Sequence, residues 1–190
     1  MKSLLLTFFF FANLNLLFCL PAYAEEETSP QITDILITTS QSHLLLFCSI
    51  KNSLTQEMIE GIHHGIPVTF TFLISLEQVR SNWFDKTTVE MTLQHTLSYD
   101  SLKEKYQVYR SEKQVNPKVT DSLEEAIGII SELNGLRIIE LTGLTPDERY
   151  TLSVKAKLAE KTLPLYMHYI IPFISLWDFE TDWRTIEFQY

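Results

Sequence analysis

Cysteine and glycine are both scarce in this 190-residue chain, with two of the first and five of the second. Every glycine stands alone, so a phosphate-cradling loop, which needs several glycine-permitted amides in succession, cannot be built. No Gly-x-Ser-x-Gly elbow occurs, and no cysteine stands in a pattern with histidine; nucleophilic catalysis has no local signature. Basic residues are few as well, 15 against 24 acidic ones, for a formal net charge of -9. Such a balance repels phosphates and anionic head groups, which argues against nucleic-acid or anionic-membrane binding through a general positive field.

The one long apolar run lies at the start. Lys2 supplies a positive charge, Leu4 to Leu20 an apolar stretch, and Ala22-Tyr23-Ala24 the small-x-small pattern of a cut before Glu25. Asn13, Asn15 and Pro21 interrupt it, whereas a spanning helix wants ~20 mostly apolar residues. Residues 1–24 are therefore expected to be a cleavable signal peptide, residues 25–190 a single exported domain, with no stable membrane insertion after cleavage. Cys19 follows bulky Phe18, unlike a lipid-attachment cysteine, and reads as part of the signal. Removing Lys2 leaves 14 basic residues and a formal charge of -10.

Only Cys48 then remains, so no internal disulfide is open to the domain. Its setting, Leu44-Leu45-Leu46-Phe47-Cys48, predicts burial as a small hydrophobe. A chain of this length can bury ~70% of its unfolded surface and needs no staple.

Beyond the polar lead Glu25 to Pro30, the runs Ile32 to Thr38 and His43 to Ile50 predict a hairpin. Ser53 and Gln56 form a capping-box pattern ahead of Leu54, Met58 and Ile62 at helical spacing, with Gly65 and Pro67 ending that helix. Strict alternation from Ile66 through Val68, Phe70, Phe72 and Ile74 to Leu76 puts six apolar side chains on one strand face. Val89, Met91, Leu93, Leu97 and Tyr99 repeat the rule, joined to the first strand through Arg80 to Lys86. Tyr106 to Arg110 is expected to pair next, followed by a loop from Ser111 to Lys118.

Asp121 and Glu124 suggest a second capping box, and Leu123, Ala126, Ile127, Ile130 and Leu133 a helical stripe running to Gly135. Leu136 to Leu141 predicts a strand, Leu144 to Asp147 a turn, and Tyr150 to Leu158 a third amphipathic strand. Two more strands are expected between Tyr166 and Tyr190, with Ile186, Phe188 and Tyr190 on one face. Alternation of this kind leaves one wet face and marks antiparallel sheets. The fold class expected is mainly β (α+β): an antiparallel two-layer β-sandwich of about eight strands with two helical connections. An antiparallel sheet curled around the second helix shares the same pattern.

Candidate chemistry is sparse. His63 and His64 sit beside Glu60, but neighbours on a helix point about 100° apart rather than along one face, so helix-end histidines facing solvent are expected. His95 takes an inward position between Leu93 and Leu97, either as a core histidine bonded to a carbonyl or tyrosine, or as a base working with a nearby carboxylate. Asp178, Glu180 and Asp182 could align three carboxylates for Ca²⁺, yet lack a glycine turn, and a solvated acidic turn is expected instead. No metal and no cofactor is expected. Trp83-Phe84-Asp85 falls on a connection, where the tryptophan either tucks beneath the sandwich edge or stands in solvent and anchors a partner. Trp83, Phe84, Trp177 and Trp183 are the candidate partner-binding residues.

Gly65-Ile66-Pro67-Val68-Thr69-Phe70, Trp83-Phe84-Asp85, and Leu97-Ser98-Tyr99-Asp100-Ser101-Leu102 with Tyr106 resemble the signature of an uncharacterised bacterial exported family, domain of unknown function 4390. Tyr150, Leu163-Pro164, Trp177 and Trp183 match more loosely. Arg80-Ser81-Asn82 departs from the more basic and aromatic residues the family carries before its tryptophan. The resemblance implies bacterial origin and export, and brings no catalytic residue, cofactor or activity. Together with the sequence it leads to the expectation of a non-enzymatic periplasmic binding or interaction module with an envelope protein partner. The alternatives are an enzyme of unrecognised type using His95, or a membrane-tethered accessory subunit of an envelope signalling system.

Overall fold

The computed structural model describes residues 29–113, 116–159 and 179–190. Residues 1–24 (expected to be a signal peptide), the strand expected from Tyr166, His168, Trp177 and Asp178 lie outside the described residues. Among the described residues nine strands and two α-helices follow in order: β1 (Gln31–Thr39), β2 (His43–Lys51), α1 (Gln56–His63), β3 (Val68–Gln78), β4 (Lys86–Asp100), β5 (Lys105–Arg110), β6 (Lys118–Thr120), α2 (Leu123–Ser131), β7 (Glu132–Glu140), β8 (Arg149–Leu158) and β9 (Arg184–Gln189). They build two sheets, of order β1-β2-β7 and β6-β5-β4-β3-β8-β9, antiparallel at every pairing. The fold is β-rich α+β, as the alternation predicted.

The period-two pattern is the physical reason. Ile66, Val68, Phe70, Phe72, Ile74 and Leu76 are each at most 2% exposed, and Leu152, Val154 and Ala156 of β8 join them. From the smaller sheet come Leu44, Leu46, Cys48 and Ile50 of β2 and Leu133, Leu136 and Ile138 of β7, all in the same core. One continuous core thus lies between two layers, with α2 packed on β4, β5 and β6. Burial pushes the Cys48 thiol up to about 12, so at neutral pH it is an inert hydrophobe.

Four local expectations are corrected. The cap of α1 is Thr55, whose side chain accepts from Met58 N–H, because Ser53 is buried and accepts instead from Ser131 Oγ at 2.7 Å. The cap of α2 is Ser122 rather than Asp121, which is turned to Lys105. Helix α2 also stops at Ser131: Leu133 belongs to β7, where Gly135, at φ +68°, occupies a bulge between Asn134 and Leu136 opposite Phe47 and Leu46. The loop expected after Ser111 ends early, since Lys118 opens β6.

The end of α1 closes as expected. Gly65 N–H donates to Ile62 O and Ile66 N–H to Gly61 O, both at 2.9 Å, with Gly65 at φ +85°. A Cβ there would meet no atom within 4 Å, so the effect of Gly65→Ala is purely conformational. We expect about 1 kcal/mol of destabilisation, read by chemical denaturation. A neutral substitution would mean the left-handed cap is not held.

At the opposite end of the sequence, Tyr150 is 1% exposed and its hydroxyl accepts from Thr145 N–H at 2.8 Å. This ties the turn before β8 back onto the strand, in the manner of the tyrosine corner of β-sandwiches.

Candidate functional site

His95 comes first, since it is the sole inward histidine of the amphipathic pattern. It is 0% exposed, on β4, opposite Phe70 of β3 and Arg110 of β5. Nδ1 lies 2.9 Å from Ile130 O, near the end of α2, and Nε2 lies 3.1 Å from a carboxylate oxygen of Glu112. Its ring also packs on Phe72 with centroids 4.8 Å apart. Nδ1–H donates to the carbonyl, and the Nε2 contact with Glu112 is bridged by a single proton. Burial pulls the imidazole below its ordinary value, against the charge of Glu112 and the Ile130 hydrogen bond, which favour the protonated ring. Both ring nitrogens are engaged and no ring atom reaches solvent, so the geometry is that of a core tie between β4, α2 and the segment after β5. A base that serves a diffusing substrate needs access, which His95 lacks.

The other titratable clusters are equally occupied. His63 and His64 do part company on the helix: His64 caps α1, while His63 Nε2 lies 2.6 Å from the Tyr106 hydroxyl and its ring meets Tyr99 edge-on. Burial, helped by Tyr99, holds the Tyr106 phenol above its ordinary value, so the hydroxyl keeps its proton in this contact. His63 is thus a dock between α1 and β5, a partnership that local spacing did not announce. Glu180 lies 2.5 Å from Lys155 Nζ, and the hydrogen bond and charge of Lys155 hold its carboxyl below the ordinary value. Asp182 is exposed. Among the described residues no group of three or more His, Cys, Asp or Glu is placed to hold a metal ion. An open cleft of about 300 Å³ runs past Ser29, Ile32, Glu180, Asp182 and Arg184, with no convergent chemistry in it.

The aromatic candidates separate. Trp83 and Phe84 stand at the turn joining β3 to β4, 75% and 88% exposed. The turn itself is fixed: Asp85 Oδ1 accepts from Arg80 N–H at 3.0 Å, and Val79 N–H donates to Arg149 O at 2.9 Å. The tryptophan therefore does not tuck beneath the sandwich edge. Trp183 is 48% exposed and lies elsewhere, its ring 5.9 Å from Lys155 Nζ on β8. Gln78, the last residue of β3, pairs with Tyr150, five residues before Lys155, which places Trp183 about 17 Å along the strand from the turn. Trp83 and Phe84 form one patch, and Trp183 is not part of it.

Residues 27–187 match the model of a family described as a domain of unknown function, DUF4390. The chain belongs to this family. No curated protein and no solved structure matches it. In this DUF4390 domain several residues that carry the resemblance have structural work: Gly65 closes the end of α1, Pro67 precedes β3, and Tyr99 and Tyr106 hold His63. Trp83 and Phe84 have none, and neither has Leu102: all three side chains are bare. No helix among the described residues of the DUF4390 domain is long and apolar enough to cross a membrane.

Proposed function

We propose that this domain is an exported, periplasmic interaction module of the bacterial cell envelope that works by contact rather than by chemistry, with the turn between β3 and β4 as its working surface. The supporting observation is the adjacent pair Trp83 and Phe84, bare on a turn whose backbone is held in place. Folding gains nothing from leaving two large aromatic side chains in water, whereas tryptophans dominate the energetic centres of interfaces. The N-terminal segment supports export, and an intact mass beginning at Glu25 is the expected result for protein recovered from the envelope.

The test is capture of envelope components by the exported protein and by its Trp83→Ala/Phe84→Ala variant. Because both side chains are solvated, the variant should keep its stability to within about 0.5 kcal/mol and lose capture by tenfold or more. Alanine at Trp177 or Trp183 serves as the comparison for the other candidates. Undiminished capture by the folded double variant would remove this turn as the working surface.

A further inference from the structure

The same turn allows its counterpart to be specified, an inference that rests on the reading of Trp83 and Phe84 as the contact. A stable protein interface covers about 800 Å² per partner and has a packed apolar centre. Two aromatic side chains offer about 400 Å², and among the described residues no other large exposed apolar side chain stands in their turn. Ser81, Asn82 and Asp85 are their neighbours in the turn, all exposed. The other large exposed apolar groups are distant: Leu102, 95% exposed, is in the turn at the far end of β4, about 45 Å along the strand. Leu36, Tyr109, Val119 and Trp183 lie on β1, β5, β6 and before β9. Among the described residues this is an isolated apolar apex at the tip of a turn rather than the centre of a flat patch.

An apex of that shape needs no complementary surface if what it enters is fluid. Trp and Phe partition into the interfacial zone of a bilayer, and Arg or Lys a few residues behind them reach the level of the phosphates. Arg80 and Lys86 stand at the two roots of the turn, both exposed, while the one carboxylate there, Asp85, is folded back onto Arg80 N–H. We propose that the β3–β4 turn inserts Trp83 and Phe84 into a zwitterionic lipid–water interface, binding the domain peripherally and reversibly to a membrane surface. The formal charge, -9 for the full chain and -10 without Lys2, sets the preference for a surface without net charge, since an anionic one repels the body of the domain.

The experiment uses phosphatidylcholine vesicles, with and without phosphatidylglycerol, and the Trp177→Phe/Trp183→Phe chain, in which Trp83 is the remaining fluorophore. Expected are co-flotation with phosphatidylcholine vesicles, a blue shift of Trp83 emission and its quenching by brominated acyl chains. Trp83→Ala/Phe84→Ala in the otherwise native chain should reduce flotation at least tenfold, and Arg80→Gln/Lys86→Gln a few-fold. Adding phosphatidylglycerol should weaken flotation. Absence of flotation, flotation indifferent to the aromatic substitutions, or binding that grows with anionic lipid would each overturn the proposal. If flotation fails while envelope-protein capture still depends on Trp83 and Phe84, the lipid inference falls and the contact reading stands. If capture is also indifferent to them, both fall.

Discussion

His95→Ala is expected to lower the unfolding free energy by about 3 to 5 kcal/mol, one of the two largest effects of a single substitution in this domain. Three losses combine. The ring that packs on Phe72 leaves a void at a fully buried site. The Ile130 carbonyl loses its donor, and Glu112, whose side chain is 15% exposed, loses its partner where water reaches it poorly. Glu112→Gln should be milder, about 1 kcal/mol, because its amide N–H can donate to Nε2 of the neutral ring while Nδ1–H keeps the Ile130 carbonyl. Chemical denaturation of both variants distinguishes a core tie from a catalytic base at this histidine. A base poised for catalysis sits in an accessible place, where its removal leaves the fold largely intact; a core tie does not. A loss below about 1 kcal/mol for His95→Ala would show that the ring is not sealed between β4 and α2.

Much of the fold was legible because antiparallel strands with one wet face write their own pattern. The alternation through Phe70 and Phe72, through Leu93 and Leu97, and through Leu152 and Val154 identified three central strands of the larger sheet and their inward faces. It also marked His95 as inward. The helix caps were displaced by one or two residues because Ser53, Thr55, Asp121 and Ser122 have similar intrinsic aptitude for the position. What decided between them was tertiary: Ser53 was claimed by Ser131, 78 residues away, and Asp121 by Lys105. The passage from α2 into β7 was hidden for a related reason. Leu133 continues the helical spacing from Ile130 and equally begins the strand that the Gly135 bulge redirects.

The candidate site was legible in kind and not in arrangement. Trp83-Phe84 announced itself as aromatic chemistry on a connection, but whether it tucks or stands free depends on how far the turn runs past the sheet, which no local pattern records. The partners of the buried histidine and of His63 were illegible because they arrive from 17 and 43 residues away. Sequence spacing shows which face a residue occupies; it does not show which residue of another strand or loop will meet it there.

Phe70→Ala should match or exceed the His95 effect, at about 4 kcal/mol, and the reason reaches beyond the void it leaves. Phe70 is 0% exposed in the strand between β4 and β8, and its ring stacks on Phe179 with centroids 4.5 Å apart and planes at 15°. Phe179 lies ahead of β9, and residues 179–181 are stitched to the end of β8: Leu158 N–H donates to Phe179 O, and Ala156 and Thr181 exchange two further bonds. The stack therefore anchors the C-terminal edge of the larger sheet as well as filling its core. Phe179→Ala should consequently speed amide hydrogen exchange in β9 and in the 179–181 segment while β3 and β4 stay protected, because it removes the anchor and keeps the core ring. Combined with Phe70→Ala it should fall short of additivity by about 0.5 to 1.5 kcal/mol, the coupling of a stacked pair. Strict additivity, or β9 amides indifferent to Phe179→Ala, would mean that the edge strand is held by its ladder with β8 alone.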